Sequence, residues 1–162
     1  MNDDYEARLT LAGSTDDVFD ALTTLDGLAG WWTSVAGSGL TGGELTFTFG
    51  PDSRAVMRVD AASRGVNVRW TNVACVMEDW VGTSMHFDLE ATPSGATELR
   101  FRHVGLTPQL ACYTDCKSGW DHFIPTSLRD FVETGAGHPN GSDADLARRD
   151  VREQQRASAH VG

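Results

Sequence analysis

Histidine is the side chain whose ordinary pKa lies nearest neutral pH, so an inward-facing histidine is the first place to look for acid–base chemistry. His103 holds such a place. Leu99, Phe101 and His103 alternate with Glu98, Arg100 and Arg102, which puts the imidazole on the apolar face of a strand just before Gly105-Leu106. There it could orient a polar group of a ligand or move a proton. The same position suits a structural histidine, since a buried polar group must be hydrogen-bonded whatever the protein does. Cys112, Cys116, His103 and His122 are residue types that zinc accepts, but Cys112 and Cys116 stand one helical turn apart and no C-x2-C pair is present. That spacing favours two small apolar side chains packed on one helix face, so neither a metal nor a cofactor is expected. Asp121 and His122 are neighbours on a helix and diverge by about 100°, which rules against an Asp/His dyad. Trp120 is then the pocket residue of that turn, with Asp121 facing solvent or capping. No phosphate-cradling glycine loop and no G-x-S-x-G elbow occurs.

The elements that must position these residues can be read in order. Leu9 and Leu11 mark an opening strand over residues 6–12. Ser14 is a natural N-cap, and Asp16 and Asp17 favour the positive end of the helix that follows, with Val18, Phe19, Ala21, Leu22 and Leu25 at helical spacing. Gly27 and Gly30 set off a second short helix ending near Trp31-Trp32. From Gly42 to Thr71 three short strands fit, joined by turns at Gly50-Pro51-Asp52-Ser53 and Ser63-Arg64-Gly65; connections this short make a meander. Thr83, Met85, Phe87 and Leu89 then alternate with Ser84, His86, Asp88 and Glu90, and a turn at Pro93-Ser94-Gly95 leads to the His103 strand. Residues 108–134 have helical periodicity up to a stop at Gly135, and Pro125 should kink or split that helix.

This order is α+β: a curved antiparallel β-sheet wrapped around a long C-terminal α-helix, with two short helices after strand 1. A strongly bent sheet cannot lie flush on one cylinder, so large side chains or a ligand must fill the gap. The inward aromatic residues Trp32, Phe47, Phe49, Trp70, Phe87 and Phe101 come from the sheet side, and Tyr113 and Trp120 from the helix. With Met57, Met85, His103 and Cys116 they form the expected ligand-binding set. Trp31 reads as core. Gly82-Thr83 and Gly105 read as backbone requirements, and Glu78-Asp79-Trp80 as an exposed acidic loop.

The charge of −10 in 162 residues would repel a phosphate backbone and an anionic membrane surface, so neither nucleic acid nor membrane is an expected partner. No apolar run reaches signal or transmembrane length, which points to a cytoplasmic protein. Three cysteines are an odd number and too few for a disulfide framework; reduced thiols are expected. After Gly137 the composition turns polar, with Leu146 and Val151 the main aliphatic residues. We divide the chain into a domain at 1–139 and a tail at 140–162, the tail a frayed charged helix near 143–157 or disordered. A homodimer through an edge strand is open.

Three blocks carry a family resemblance: STDDVFDALTTLDGLAGWW (14–32), GTSMHFDLEATPSGATELRFRHVGL (82–106) and CKSGWDHFIPTSLRDFVETGAGHP (116–139). Through Gly-Thr, His-x-Gly-Leu and Gly-Trp-Asp, the chain resembles the START-like or SRPBCC superfamily of birch-pollen-allergen-like helix-grip proteins. Within it, the chain is similar to bacterial homologues of the activator of heat-shock-protein-90 ATPase. The resemblance implies a helix-grip fold and a pocket between sheet and C-terminal helix, while members differ in function. The expected function is binding of a small apolar molecule in that pocket, by a non-enzymatic or at most weakly enzymatic protein. One alternative is a cyclase or dehydratase of the polyketide kind, using the same cavity around His103. The other is a co-chaperone-like interaction module, although no exposed apolar patch for a chaperone partner can be identified from sequence.

Overall fold

The computed structural model describes residues 3–161. The strands are β1 (Tyr5–Leu11), β2 (Ser34–Gly37), β3 (Glu44–Gly50), β4 (Ser53–Ser63), β5 (Asn67–Cys75), β6 (Ser84–Ala91) and β7 (Thr97–Val104). Between β1 and β2 lie α1 (Thr15–Thr23) and α2 (Leu25–Trp31). After β7 come α3 (Tyr113–His122), a π-helical turn (Phe123–Leu128), α4 (Arg129–Thr134) and α5 (Asp143–Val161). The sheet order is β1-β7-β6-β5-β4-β3-β2, every pairing antiparallel. This is the helix-grip architecture.

Local chemistry accounts for most boundaries. Ser14 Oγ accepts the Asp17 amide at 3.1 Å and opens α1, while Thr24 Oγ1 accepts the Gly27 amide at 3.0 Å and opens α2. Register shifts at Thr48/Gly50, Val56/Met57 and Val59/Ala61 bend the β3-β4-β5 part of the sheet. β2, an edge strand of Ser, Val, Ala and Gly, was not expected from sequence: it pairs by backbone alone and has no alternation to announce it.

The final helix differs from the sequence reading at both of its features. It begins at Tyr113 rather than 108, because residues 107–113 make successive tight turns, Leu110 N to Thr107 O and Tyr113 N to Leu110 O. Pro125 does not split it between Ile124 and Thr126; the chain widens into one π-helical turn and runs on as α4, stopping at Gly135 with φ of 85°.

Between sheet and helix the aromatic residues meet each other. Trp32 sits at the centre, its ring centroid 4.3 Å from Phe47, 5.0 Å from Trp120, 5.5 Å from Phe49 and 6.1 Å from Trp70. Phe87 and Phe101 continue the layer towards β7, with Phe101 4.8 Å from Trp120. The middle of the predicted gap is therefore closed by rings in offset and tilted contact.

Residues 143–161 form a helix that lies on α3. Asp145, fully buried, accepts the Gly141 amide at 2.9 Å and pairs with Arg148 and Arg149. Farther along, Arg152 and Arg156 both reach Asp115 of α3, at 2.8 and 2.9 Å.

Candidate functional site: a half-open apolar cavity

The aromatic layer does not extend to the end of the sheet where β3, β4 and β5 approach the start of α3. A cavity of about 220 Å³ remains there. Trp32, Phe49, Trp80, Trp120 and Phe123 wall it with rings, and Ala55 lies in the floor. Gly119 of α3 leaves room, since a Cβ built on it would meet nothing within 4 Å. Ser53, Arg54, Cys75, Val76, Met77, Asp115 and Cys116 complete the wall and mouth.

Of the twelve residues expected from sequence, the structure places Trp32, Phe49, Cys116 and Trp120 on this cavity. Phe47, Met57, Trp70, Met85, Phe87 and Phe101 do not reach it; they are fully buried in the layer behind. Tyr113 is half-buried at the first turn of α3, off the wall. All six of these sheet residues do face inward, but Trp32 and Trp120 stand between them and the open space.

His103 is also enclosed, with no exposed surface. Its Nδ1 accepts the Trp120 indole N–H at 3.0 Å and its Nε2 lies 2.8 Å from Thr83 Oγ1. Thr83 Oγ1 donates its hydrogen to Trp80 O at 2.6 Å, so it can only accept from the imidazole. The ring is therefore the neutral Nε2–H tautomer, with both nitrogens engaged. Burial, opposed weakly by the Asp4 carboxylate, pushes its pKa down to about 3. An imidazole without a free nitrogen and without access to the cavity removes the residue on which a cyclase or dehydratase reading relied.

The remaining titratable groups at the wall are held in quiet forms. Burial pushes the Cys116 thiol up to about 12, and the Trp80 indole N–H donates to its sulfur at 3.2 Å. Burial likewise raises Cys75. Partial burial works against the Asp115 carboxylate, but Arg152 and Arg156 outweigh it and hold its pKa below the ordinary range. Asp121 points elsewhere, accepting from Tyr5 Oη at 2.6 Å and from Lys117 at 2.7 Å, and His122 Nε2 bonds to His138 O at 2.9 Å. No group of three or more metal-ligating side chains is assembled among the described residues.

Sequence reasoning missed two features of the site. Trp80 stands in a short 3₁₀ turn, Glu78–Trp80, with its two acids exposed and its ring buried in the cavity wall. Beside it, the end of β5 and the connection to β6 expose Val73, Val76, Met77 and Val81, at 38%, 59%, 38% and 48%. An apolar rim thus borders the mouth, contrary to the expectation of no such patch. A run of five apolar residues, Val73 to Met77, was its signal. No helix among the described residues is long and apolar enough to cross a membrane.

Comparison with known proteins agrees with this architecture. A solution structure of the Aha1 dimer from Colwellia psychrerythraea is 30% identical, covering 83% of this chain and 98% of its own, with a TM-score of 0.72. Protein MLL2253 from Mesorhizobium loti, at 20% identity and TM-score 0.65, covers 75% of this chain and 90% of its own. CalU16 from Micromonospora echinospora, at 16% and 0.66, covers 94% and 85%. These last two show the fold alone. No curated protein sequence matches. The family model of the Activator of Hsp90 ATPase homolog 1-like proteins matches residues 12–133, from the end of β1 to α4, and the chain belongs to that family.

Proposed function

We propose that this chain is a non-catalytic interaction module of the Hsp90-activator kind, which engages an Hsp90-class chaperone through the apolar rim and seats an apolar group of that partner in the cavity. The observation that carries the reading is the rim itself: Val76 and Met77 are exposed and also line the cavity mouth. Exposed apolar surface next to a concave site favours a binding function. The likeness to a structure named as Aha1 and the family's printed description support the class of partner. The test is ATP hydrolysis by the cognate Hsp90-class chaperone at saturating protein. Turnover should rise, and Val76→Asp together with Met77→Asp should remove the rise while leaving the fold intact by circular dichroism. No stimulation by the unaltered chain refutes the proposal.

A second reading is favoured by the cavity's lining of five aromatic rings: the site takes a small apolar molecule. An enclosed apolar space of about 150 Å³ holds one benzene, so about 220 Å³ fits a single ring with a short substituent. Tryptophan fluorescence titrated with monocyclic aromatic compounds tests it. Gly119→Leu, which would fill the space, should abolish the response; a response that persists in that variant overturns this reading and leaves the first untouched.

A further inference from the structure

The two edges of the sheet are built differently. β2 is a strand of four small residues, short as protected edges usually are. β1, at the other edge, is seven residues long and pairs with a strand on one side only, β7. Tyr5 sends its N–H to the β7 side, donating to Leu106 O at 2.9 Å. Amide direction alternates along a strand, so the N–H and C=O groups of Glu6, Arg8 and Thr10 point out from the sheet edge. Glu133 of α4 closes that edge just past the end of β1, where it accepts the Ala12 amide at 2.8 Å; among the described residues no side chain bonds to the edge before that point.

The charges on this strand are unresolved as well. Glu6 and Arg8 are exposed on the outer face, while Tyr5 and Leu9 are buried on the inner one. Arg8 stands directly across from Arg100 in the β1–β7 register, and like charges so placed are destabilising. Among the described residues Arg8 has no ion-pair partner, and Glu6 reaches Arg100 and Arg102 only at 4.0 Å.

We propose that β1 is a homodimer interface, to which a second copy of this chain adds its own β1 antiparallel across a two-fold axis at Ala7. Glu6 then exchanges both backbone hydrogen bonds with the partner's Arg8, and Arg8 with the partner's Glu6. This uses the outward amides and carbonyls and leaves Ala7 on the axis as a non-hydrogen-bonded pair. The same positions set each free guanidinium against a carboxylate on the outer face, and on the inner face Tyr5 meets the partner's Leu9. Sliding the second strand by two residues sets Glu6 against Glu6 or Arg8 against Arg8, and sliding it by one puts core side chains opposite the charged row. Charge and pleat therefore select one register, and the contact is isologous, as a two-fold dimer requires. It makes no use of the cavity or its rim, and so goes beyond both readings above.

Sedimentation equilibrium of the full chain over a wide concentration range should show a monomer–dimer equilibrium. Amide hydrogen exchange followed by NMR should find the Glu6 and Arg8 N–H groups slow where the dimer dominates and fast on dilution. Arg8→Glu turns two attractive pairs into two repulsive ones and should raise the dissociation constant on the order of tenfold; Glu6→Arg combined with Arg8→Glu should bring it back. A monomer at every concentration overturns the proposal and leaves the edge to an extended segment of some other protein. A dimer whose Glu6 and Arg8 amides exchange freely, or one that Arg8→Glu leaves intact, overturns it too. The exchange measurement on the unaltered chain decides this even where a variant does not fold.

Discussion

Replacing His103 by Gln separates its titration from its hydrogen bonding. The glutamine amide offers one acceptor for the Trp120 N–H and one donor for Thr83, as the neutral imidazole does, but it cannot take up a proton. In the unfolded chain His103 protonates near 6.5, and in the folded chain only near 3, because the charge would be buried; Nδ1 is besides already taken by the Trp120 N–H. Between those values the unfolded state binds more protons, so stability rises with pH and is lost as pH falls below 6.5. From pH 7 to pH 5 that loss is about 2 kcal/mol, at about 1.4 kcal/mol per pKa unit. With a urea dependence of about 1–3 kcal/mol per molar, the unfolding midpoint moves down by about 1 M. His86 and His122, whose pKa values burial also lowers, act in the same direction, and they cancel when the variant is subtracted from the parent. The assay is urea denaturation of both proteins at pH 7 and pH 5. Equal pH dependence in parent and His103→Gln would refute the buried neutral imidazole, whatever the variant's absolute stability.

Three further outcomes follow from the packing. Gly30→Ala places a Cβ 2.4 Å from the Phe131 ring and should lower stability by about 1–3 kcal/mol, read as a reduced thermal midpoint; an unchanged midpoint contradicts the close approach of α2 and α4. Tyr5→Phe removes the 2.6 Å bond to Asp121 that ties β1 to α3, and should cost about 1–2 kcal/mol in urea unfolding. Burial first, and then Asp121, raise the Tyr5 pKa, so stability should also fall as pH climbs past 10, less so in the variant. Asp115→Asn removes the shared partner of Arg152 and Arg156; Asp115 is half-exposed, so global stability should change by less than about 1 kcal/mol while α5 amides exchange with solvent faster. Undisturbed exchange in α5 would show that its anchoring lies instead at Arg148, which reaches Ser118 Oγ at 3.3 Å and lies over the Phe123 ring.

The fold was legible because its signals are local and periodic. The Thr83–Leu89 and Leu99–His103 alternations, the Ser14 cap and the Gly135 stop each act within a few residues, and all of them stand in the structure as read. The site was legible only in direction. Periodicity identifies which residues face inward, but not how far along that inward direction the protein fills itself. Phe47, Trp70, Phe87 and Phe101 were correctly turned towards the helix, yet Trp32 and Trp120 cover them. Trp80 was lost in an acidic tripeptide, since a 3₁₀ turn has no apolar repeat to reveal which of its residues is buried. Pro125 was read by its missing N–H alone; that a widened turn absorbs such a residue depends on neighbours that continue the helix, Ser127 bonding to Trp31 O at 2.7 Å among them.

The position of the cavity then has a physical cause. Five tryptophans compete for the space above a bent sheet, and three of them can stack there only by lying nearly parallel across it: Trp31 on Trp32 at 14° and Trp32 on Trp70 at 5°. That column closes the centre. Trp120 and Trp80, also stacked at 14°, form a second column displaced towards the start of α3. Between the second column and the diverging ends of β4 and β5, α3 presents Gly119 and Cys116, the smallest side chains on that face, so nothing fills the remainder. The same ends carry Val76 and Met77 out into solvent, which is why the space opens onto an apolar rim instead of a charged one, although the chain carries a net charge of −10. A cavity made this way is shallow and one-sided: it suits the tip of a partner that covers the rim, or a single ring, and it is too small for a long lipid chain.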